Sequence, residues 1–279
     1  MKKKFLSYIL VGILTFGAGI GTGYVVDNTK NNSNEVALKK LTNGALLATV
    51  WQQESGEAKA LRYQAYNSAM KYIDELSANP GDKPYAVTLD LDETVVDNVP
   101  WPAYMIKHNE LATNDNWNNW CRKVDAKAID GAKEFTDYAK EHGIEVFYVS
   151  NRSNEVLPHT IENMKKLNLV NADEDHIFLM ADANDTSNKD ARWNKIREKY
   201  NLAMYCGDSL GDFPSGYDEK SNNERRGIVD KNANNFGTKF IVLPNPTYGD
   251  FENSIYNYDS SKSPNEKLKA KLDCIKSFE

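Results

Sequence analysis

From Tyr85 onward the chain repeats one pattern, a short apolar run of strand length followed by a longer stretch of helical length. The apolar runs are 85–91, 144–150, 177–180, 203–206 and 240–243, and helical stretches at 132–142, 155–168 and 188–200 separate them. Strands alternating with helices build βαβ units, so the expected fold class is α/β, a parallel sheet covered by helices on both faces. In such sheets ligands bind beyond the carboxyl ends of the strands, near the point where the strand order reverses. The residues that follow each run therefore carry the functional information.

After the first run come Asp90-Leu91-Asp92-Glu93-Thr94, and after the second Ser150-Asn151-Arg152, expected at a helix entrance. The fourth run is followed by Gly207-Asp208-Ser209-Leu210-Gly211-Asp212, and Lys189 opens the helix ahead of it. Residues two apart at a strand end point the same way, so Asp90 and Asp92 converge above the sheet. Four carboxylates (Asp90, Asp92, Asp208, Asp212) at one edge repel each other strongly unless a cation joins them. Carboxylate oxygens without His or Cys select Mg²⁺, which keeps open positions for a phosphate. Lys189 adds an ammonium that offsets both the acidic ligands and a phosphate dianion.

These motifs, in this order, match the four motifs of the haloacid dehalogenase (HAD) superfamily. The finer wording is similar to the bacterial class C acid phosphatases: Asp90 to Asn98 as Asp-Leu-Asp-Glu-Thr-Val-Val-Asp-Asn, Tyr148-Val149-Ser150-Asn151-Arg152, Lys189-Asp190-Ala191-Arg192, and Leu243 to Glu252 as Leu-Pro-Asn-Pro-Thr-Tyr-Gly-Asp-Phe-Glu. Upstream, Trp51 to Glu57 and Tyr63 to Asn67 resemble the same family, and the resemblance spans roughly residues 40 to 255. It implies a HAD-like Rossmannoid sheet with a small, mainly helical cap. It also implies phosphomonoester hydrolysis through an aspartyl-phosphate on Asp90, with Asp92 as general acid and base. The same resemblance gives Asp90, Asp208 and the Asp92 backbone carbonyl as Mg²⁺ ligands, with Asp212 behind them. Ser150, Asn151 and Lys189 would hold phosphate oxygens and Thr94 would orient Asp90. Arg152 and Arg192 are read either as substrate contacts or as structural ion-pair partners. Trp117 and Tyr248 would overhang the site from opposite sides as an aromatic clamp on a nucleoside base, whereas Trp120 is expected in the core. Two other readings of this fold are a different HAD-type phosphotransferase and a surface-binding protein that has lost the chemistry. The second conflicts with the presence of every acidic motif residue.

The rest of the sequence sets the context. A net charge of −6 and a pI near 5.4 provide no basic footprint for a nucleic-acid polymer, so a small phosphomonoester is the expected partner. Three scattered cysteines and four scattered histidines have neither zinc nor disulfide spacing, and Cys206 is expected buried and inert. At the N-terminus, Lys2, Lys3 and Lys4 precede a charge-free stretch from Phe5 to Val26, which reads as a signal peptide or a signal anchor over residues 1–26. Either reading puts the remainder outside the cytoplasmic membrane, anchored at the cell surface or secreted. No cysteine near residues 15–30 offers a site for lipid attachment. Residues 27–36 read as an Asn-rich linker, and 37–279 as the folded domain, with the cap drawn from about 37–80 and 97–128.

Overall fold

The computed structural model describes residues 33–180 and 186–278. Two helices come first, α1 (33–54) and α2 (Gly56–Ala78); Ser55 separates them and caps α2 by accepting the Ala58 N–H. The strands β1 (Tyr85–Leu89), β4 (Glu145–Ser153), β5 (Ile177–Met180), β6 (Asn201–Gly207) and β7 (Phe240–Val242) form one parallel sheet in the order β5-β4-β1-β6-β7. The chain first winds outward from β1 through β4 to β5, then returns to place β6 on the other side of β1. The reversal therefore falls beside the carboxyl end of β1, between the motifs that follow β4 and β6. A two-stranded antiparallel ribbon, β2 (Val96–Asp97) with β3 (Lys127–Ala128), stands next to it.

Side-chain alternation along the strands decides what packs on each face. Val87 and Leu89 of β1, Val146 and Tyr148 of β4, and Met204 and Cys206 of β6 point to one face. There they meet Tyr66, Ala69 and Ile73 of α2, Phe135 of α5 (Ala132–Glu141) and Met164 of α6 (Leu157–Lys166). Ala86, Phe147, Val149 and Tyr205 point to the other face, against Trp193 and Ile196 of α7 (Asp190–Lys199) and Ile228 and Val229 of α8 (Asn222–Lys231). The three central strands β4, β1 and β6 are thus covered on both sides, which is why their runs read as continuously apolar.

Three expectations need correction. α2 belongs to the body of the fold rather than the cap: its buried stripe Ala58, Arg62, Tyr66, Ala69, Ile73 and Leu76 faces the sheet and α5. The elements above the strand ends are α3 (Pro100–His108), α4 (Asn114–Cys121) and the ribbon. Secondly, β4 continues to Ser153 because its ladder with β5 resumes after an irregularity, pairing Ser153 with Met180. Ser150, Asn151 and Arg152 therefore sit on a strand, and alternation buries Ser150 and Arg152 while leaving Asn151 exposed. Thirdly, residues 33–36 are already helical, and Ser33 and Asn34 accept hydrogen bonds from Asn265 of the last helix, α9 (Pro264–Cys274). The proposed signal segment 1–26 and the first part of the linker lie outside the described residues. No helix among the described residues is long and apolar enough to cross a membrane.

Candidate active site

Asp90 follows β1 directly, and its N–H still donates to the Cys206 carbonyl of β6, so the central sheet holds its backbone. Lys189, the residue before α7, is fully buried and donates to Asp90 Oδ1 at 2.5 Å and to Asp212 Oδ1 at 2.7 Å. The other Asp212 oxygen accepts the Ser209 N–H at 2.9 Å, which closes the turn after β6. Gly207 makes that turn possible, because a Cβ there would fall within 3.0 Å of Asp212 Cβ, Cγ and Oδ2. Asp208 is steadied by Asn245, whose amide donates to Oδ2 at 2.8 Å. Carboxylate oxygens of Asp90, Asp208 and Asp212 come within 4.8 Å of one another.

One ammonium cannot compensate three carboxylates. Burial, with Asp212 and Asp92 nearby, pushes Asp90 up to about 7, although Lys189 acts against the shift. Burial likewise holds Asp208 well above the usual carboxylate range, with Asp212 and Asp90 adding to it. Burial disfavours the charged Lys189, but Asp212 and Asp90 outweigh it and leave its pKa raised. The lysine stays charged, and the excess negative charge fits a hard divalent cation at a site of oxygen donors.

Asp92 lines the same cavity as Asp90 but is held by donors of its own. Its Oδ1 accepts from Arg152 Nη2 at 2.7 Å, Asn98 Nδ2 at 2.8 Å and Arg152 Nε at 2.9 Å. Arg152 also donates to Thr160, so its fork is spent inside the protein. Of the two readings of Arg152, the geometry gives the ion-pair partner of Asp92. Arg192 is similarly committed, with Nη1 to the Ser150 carbonyl at 2.7 Å and Nη2 to Asn151 Oδ1 at 2.7 Å. Asn151 in turn donates to the Ser187 carbonyl, tying β4 to the segment that delivers Lys189. The Ser150 hydroxyl is fully buried and donates to Asp92 Oδ2 at 3.3 Å. Thr94 is a correction: it is fully buried, does not line the cavity over Asp90, and its hydroxyl has no hydrogen-bond partner among the described residues, so it does not orient Asp90. Its carbonyl accepts from Tyr66 Oη at 2.6 Å, which fastens the motif loop to α2. The left-handed backbone at Glu93 (φ 55°) turns the chain between Asp92 and Thr94.

An open cavity of about 260 Å³ is lined by Asp90, Asp92, Asp208, Asp212, Asn151 and Arg152 below and by Trp101, Trp117 and Tyr248 above. The aromatic rings meet edge to face: Trp101 to Trp117 at 4.8 Å and 78°, and Trp101 to Tyr248 at 5.6 Å and 89°. Trp117 and Tyr248 do not oppose each other across a gap, as expected from sequence; they stand 6.3 Å apart with planes at 67°. A sandwiched base needs parallel faces about 7 Å apart, twice a van der Waals contact. This arrangement offers one wall of ring faces and edges. Trp120 packs partly buried against the core and donates Nε1 to Asn98 Oδ1 at 2.8 Å.

Asn98, Trp101 and Asn245 are among the site residues that the sequence does not single out, as are Ser187, Asp218 and Asp250 on the cavity wall. Asn98 and Asn245 lie inside runs already recognised as distinctive, but an asparagine in a loop carries no signal of what it will touch. Trp101, in Val99-Pro100-Trp101-Pro102, has the appearance of a core residue at a helix start, and it is indeed nearly buried, at 8% exposure.

Comparison with known proteins agrees with this arrangement. The family model of HAD superfamily, subfamily IIIB (acid phosphatase), matches residues 26–251. Among solved structures, a class C acid phosphatase from Bacillus anthracis superposes with a TM-score of 0.82 at 38% sequence identity, covering 86% of this chain and 100% of its own. A second structure of the Bacillus anthracis class C acid phosphatase, with tungstate bound, gives 0.82 at 37% identity with the same coverage.

Proposed function

The chain belongs to the acid phosphatases of HAD subfamily IIIB and is a phosphomonoesterase; from that premise we propose that it is an exported, Mg²⁺-dependent enzyme acting on nucleoside 5′-monophosphates through an aspartyl-phosphate on Asp90. The observation that carries this reading is the cluster of Asp90, Asp208 and Asp212 around the buried Lys189 ammonium at the floor of an aromatic-walled cavity.

In this reading Asp90 attacks phosphorus in line with the ester oxygen, forming the acyl phosphate as the P–O ester bond breaks. Asp92 gives the leaving oxygen its proton, then takes one from the water that attacks the acyl phosphate and restores Asp90. Lys189 stays protonated throughout and stabilises negative charge on the transferring group. Asp90, Asp208 and the Asp92 carbonyl would hold Mg²⁺, with Asp212 steadying the arrangement. A bound Mg²⁺ supplies charge neutralisation for the carboxylates and the phosphoryl oxygens. The exposed Asn151 offers its backbone N–H to a phosphate oxygen, while Ser150, fully buried, keeps its hydroxyl on Asp92. That the Bacillus anthracis relative binds tungstate, a tetrahedral oxyanion like phosphate, supports an oxyanion site of this kind.

The aromatic wall of Trp101, Trp117 and Tyr248 supports a leaving group with a flat, π-rich body, worth ~1–3 kcal/mol per stacked base and tolerant of which base it is. Nicotinamide mononucleotide fits the same description. Export rests on the basic and apolar N-terminal pattern. The deciding experiment is phosphate release from a panel of 5′-nucleotides and simple alkyl and aryl phosphates, by the protein lacking residues 1–30, in Mg²⁺ and in chelator. Full activity in chelator would sink the metal assignment, and no preference for nucleotides would sink the substrate assignment.

A further inference from the structure

We propose that Asn98 is the positioning residue for the acid–base step: it anchors one oxygen of the Asp92 carboxyl group so that the other faces the reaction, and Trp120 on α4 fixes its amide for that purpose. The proposal rests on Asp92 being the general acid. Asn98 is fully buried, and its backbone N–H donates to Glu93 Oε1 at 2.7 Å. Its side-chain carbonyl oxygen accepts from Trp120 Nε1 at 2.8 Å and Arg152 Nη2 at 3.3 Å. An indole N–H and a guanidinium can only donate, so the amide cannot be flipped; its oxygen must face them and its NH₂ must face Asp92.

The consequence lies at Asp92. Oδ1 receives three donors within 2.9 Å, from Asn98 Nδ2, Arg152 Nη2 and Arg152 Nε. A protonated oxygen there would direct its hydrogen at groups that have only hydrogens to offer. Oδ2 has looser partners, Arg152 Nε at 3.2 Å and the Ser150 hydroxyl at 3.3 Å, and that hydroxyl can also accept. Oδ1 is therefore the anchored oxygen, and Oδ2 is the one less tightly held and left for proton exchange. As the P–O ester bond breaks, its electron pair stays on the leaving oxygen. That oxygen takes the Oδ2 proton, leaving Asp92 as a carboxylate whose charge the Asn98 and Arg152 donors then share. In the second half, Oδ2 accepts the proton of the attacking water, and the same donors hold the carboxyl in place for the next turnover. Trp120 makes the device depend on α4, since moving the indole removes the partner that keeps the amide oriented.

The test is leaving-group dependence. For a series of substituted phenyl phosphates of graded leaving-group basicity, kcat/KM in Mg²⁺ should fall more steeply in Asn98→Ala than in the native enzyme. The expected loss is about tenfold on 4-nitrophenyl phosphate, which needs little help, and about hundredfold on phenyl phosphate, within the range general acids supply. Trp120→Phe, which keeps a packed ring but removes the indole donor, should steepen the slope in the same direction by a smaller amount and guards against Asn98→Ala failing to fold. Asp92→Asn should give the steepest slope of all. Parallel lines for Asn98→Ala and native enzyme, with Asp92→Asn steep, would overturn the positioning role while leaving Asp92 as the acid. An unchanged slope in Asp92→Asn would remove the acid assignment and this inference with it.

Discussion

Replacing Gly207 by Ala tests whether the turn after β6 is what assembles the acidic site. A methyl group there lies 2.2–2.4 Å from three atoms of Asp212, and a carbon needs about 3.5 Å, so Asp212 must retreat by more than an ångström. That side chain is held by the Lys189 ammonium at 2.7 Å and the Ser209 N–H at 2.9 Å, and it is 6% exposed. Overpacking costs roughly 1–3 kcal/mol, and a hydrogen bond to a charged group is worth about 1.5–3 kcal/mol. The effects share one residue and do not add fully, so the expected loss is about 3 kcal/mol, or roughly 6–12 °C in Tm for a chain of this size. Mg²⁺ affinity should fall about 10–100-fold, as when a group supporting metal ligands is lost. The assay is thermal unfolding across an Mg²⁺ titration. Gly227→Ala is the control: nothing lies within 4 Å of its Cβ and it sits inside α8, so Ala should leave stability unchanged or raise it by up to about 1 kcal/mol. If Gly207→Ala kept its Tm within 2 °C of the native protein and bound Mg²⁺ equally well, the reasoning from close approach would be wrong.

Asp90→Asn should fold normally and lose turnover by far more than tenfold, because an amide cannot form the acyl phosphate; activity within tenfold of native would exclude Asp90 as nucleophile. Burial raises the metal-free Asp90 carboxyl to about 7 from an unfolded value near 3.9, so the stability of its neutral form is fully present below about pH 4 and lost as pH rises through about 7. In chelator Tm should therefore decline between about pH 4 and pH 7, and the Tm gain from Mg²⁺ should grow over the same interval; an equal gain at both ends would contradict the burial argument. Trp117→Ala and Tyr248→Ala should raise KM for a 5′-nucleotide more than for a small aryl phosphate, and equal effects on both would mean that the wall only packs. Mass spectrometry of the protein from its native cells should find a mature N-terminus between residues 18 and 28 if the leader is cleaved, and an intact N-terminus in the membrane fraction if it anchors; an intact chain in the soluble cytoplasmic fraction would refute both.

The sequence by itself determined the class of fold and the acidic residues of its site. A βαβ sheet leaves its signature in apolar runs of fixed length, and the ligand edge of such a sheet lies just past those runs. The positions of Asp90, Asp208 and Lys189 relative to those runs therefore bring them to one edge of the sheet. Cys206 likewise read as buried from its apolar neighbours, and it is. The limits were of another kind. Whether α2 caps the site or covers the sheet depends on what its stripe meets, and period 3.6 is the same in both cases; Tyr66 beneath Thr94 settles it. The reach of β4 through Ser153 depends on a partner strand, β5, whose register resumes after an irregularity. The orientation of Trp117 and Tyr248 depends on Trp101, whose ring meets both of them edge to face. Asn98 is the clearest case: its neighbours in space, Trp120 and Arg152, lie 22 and 54 residues away, and only their convergence gives an asparagine in a loop control over Asp92. Local pattern fixes which elements form because it acts through backbone geometry a few residues at a time. The pairing of donors with acceptors is decided by distances between segments, and those exist only once the chain has folded.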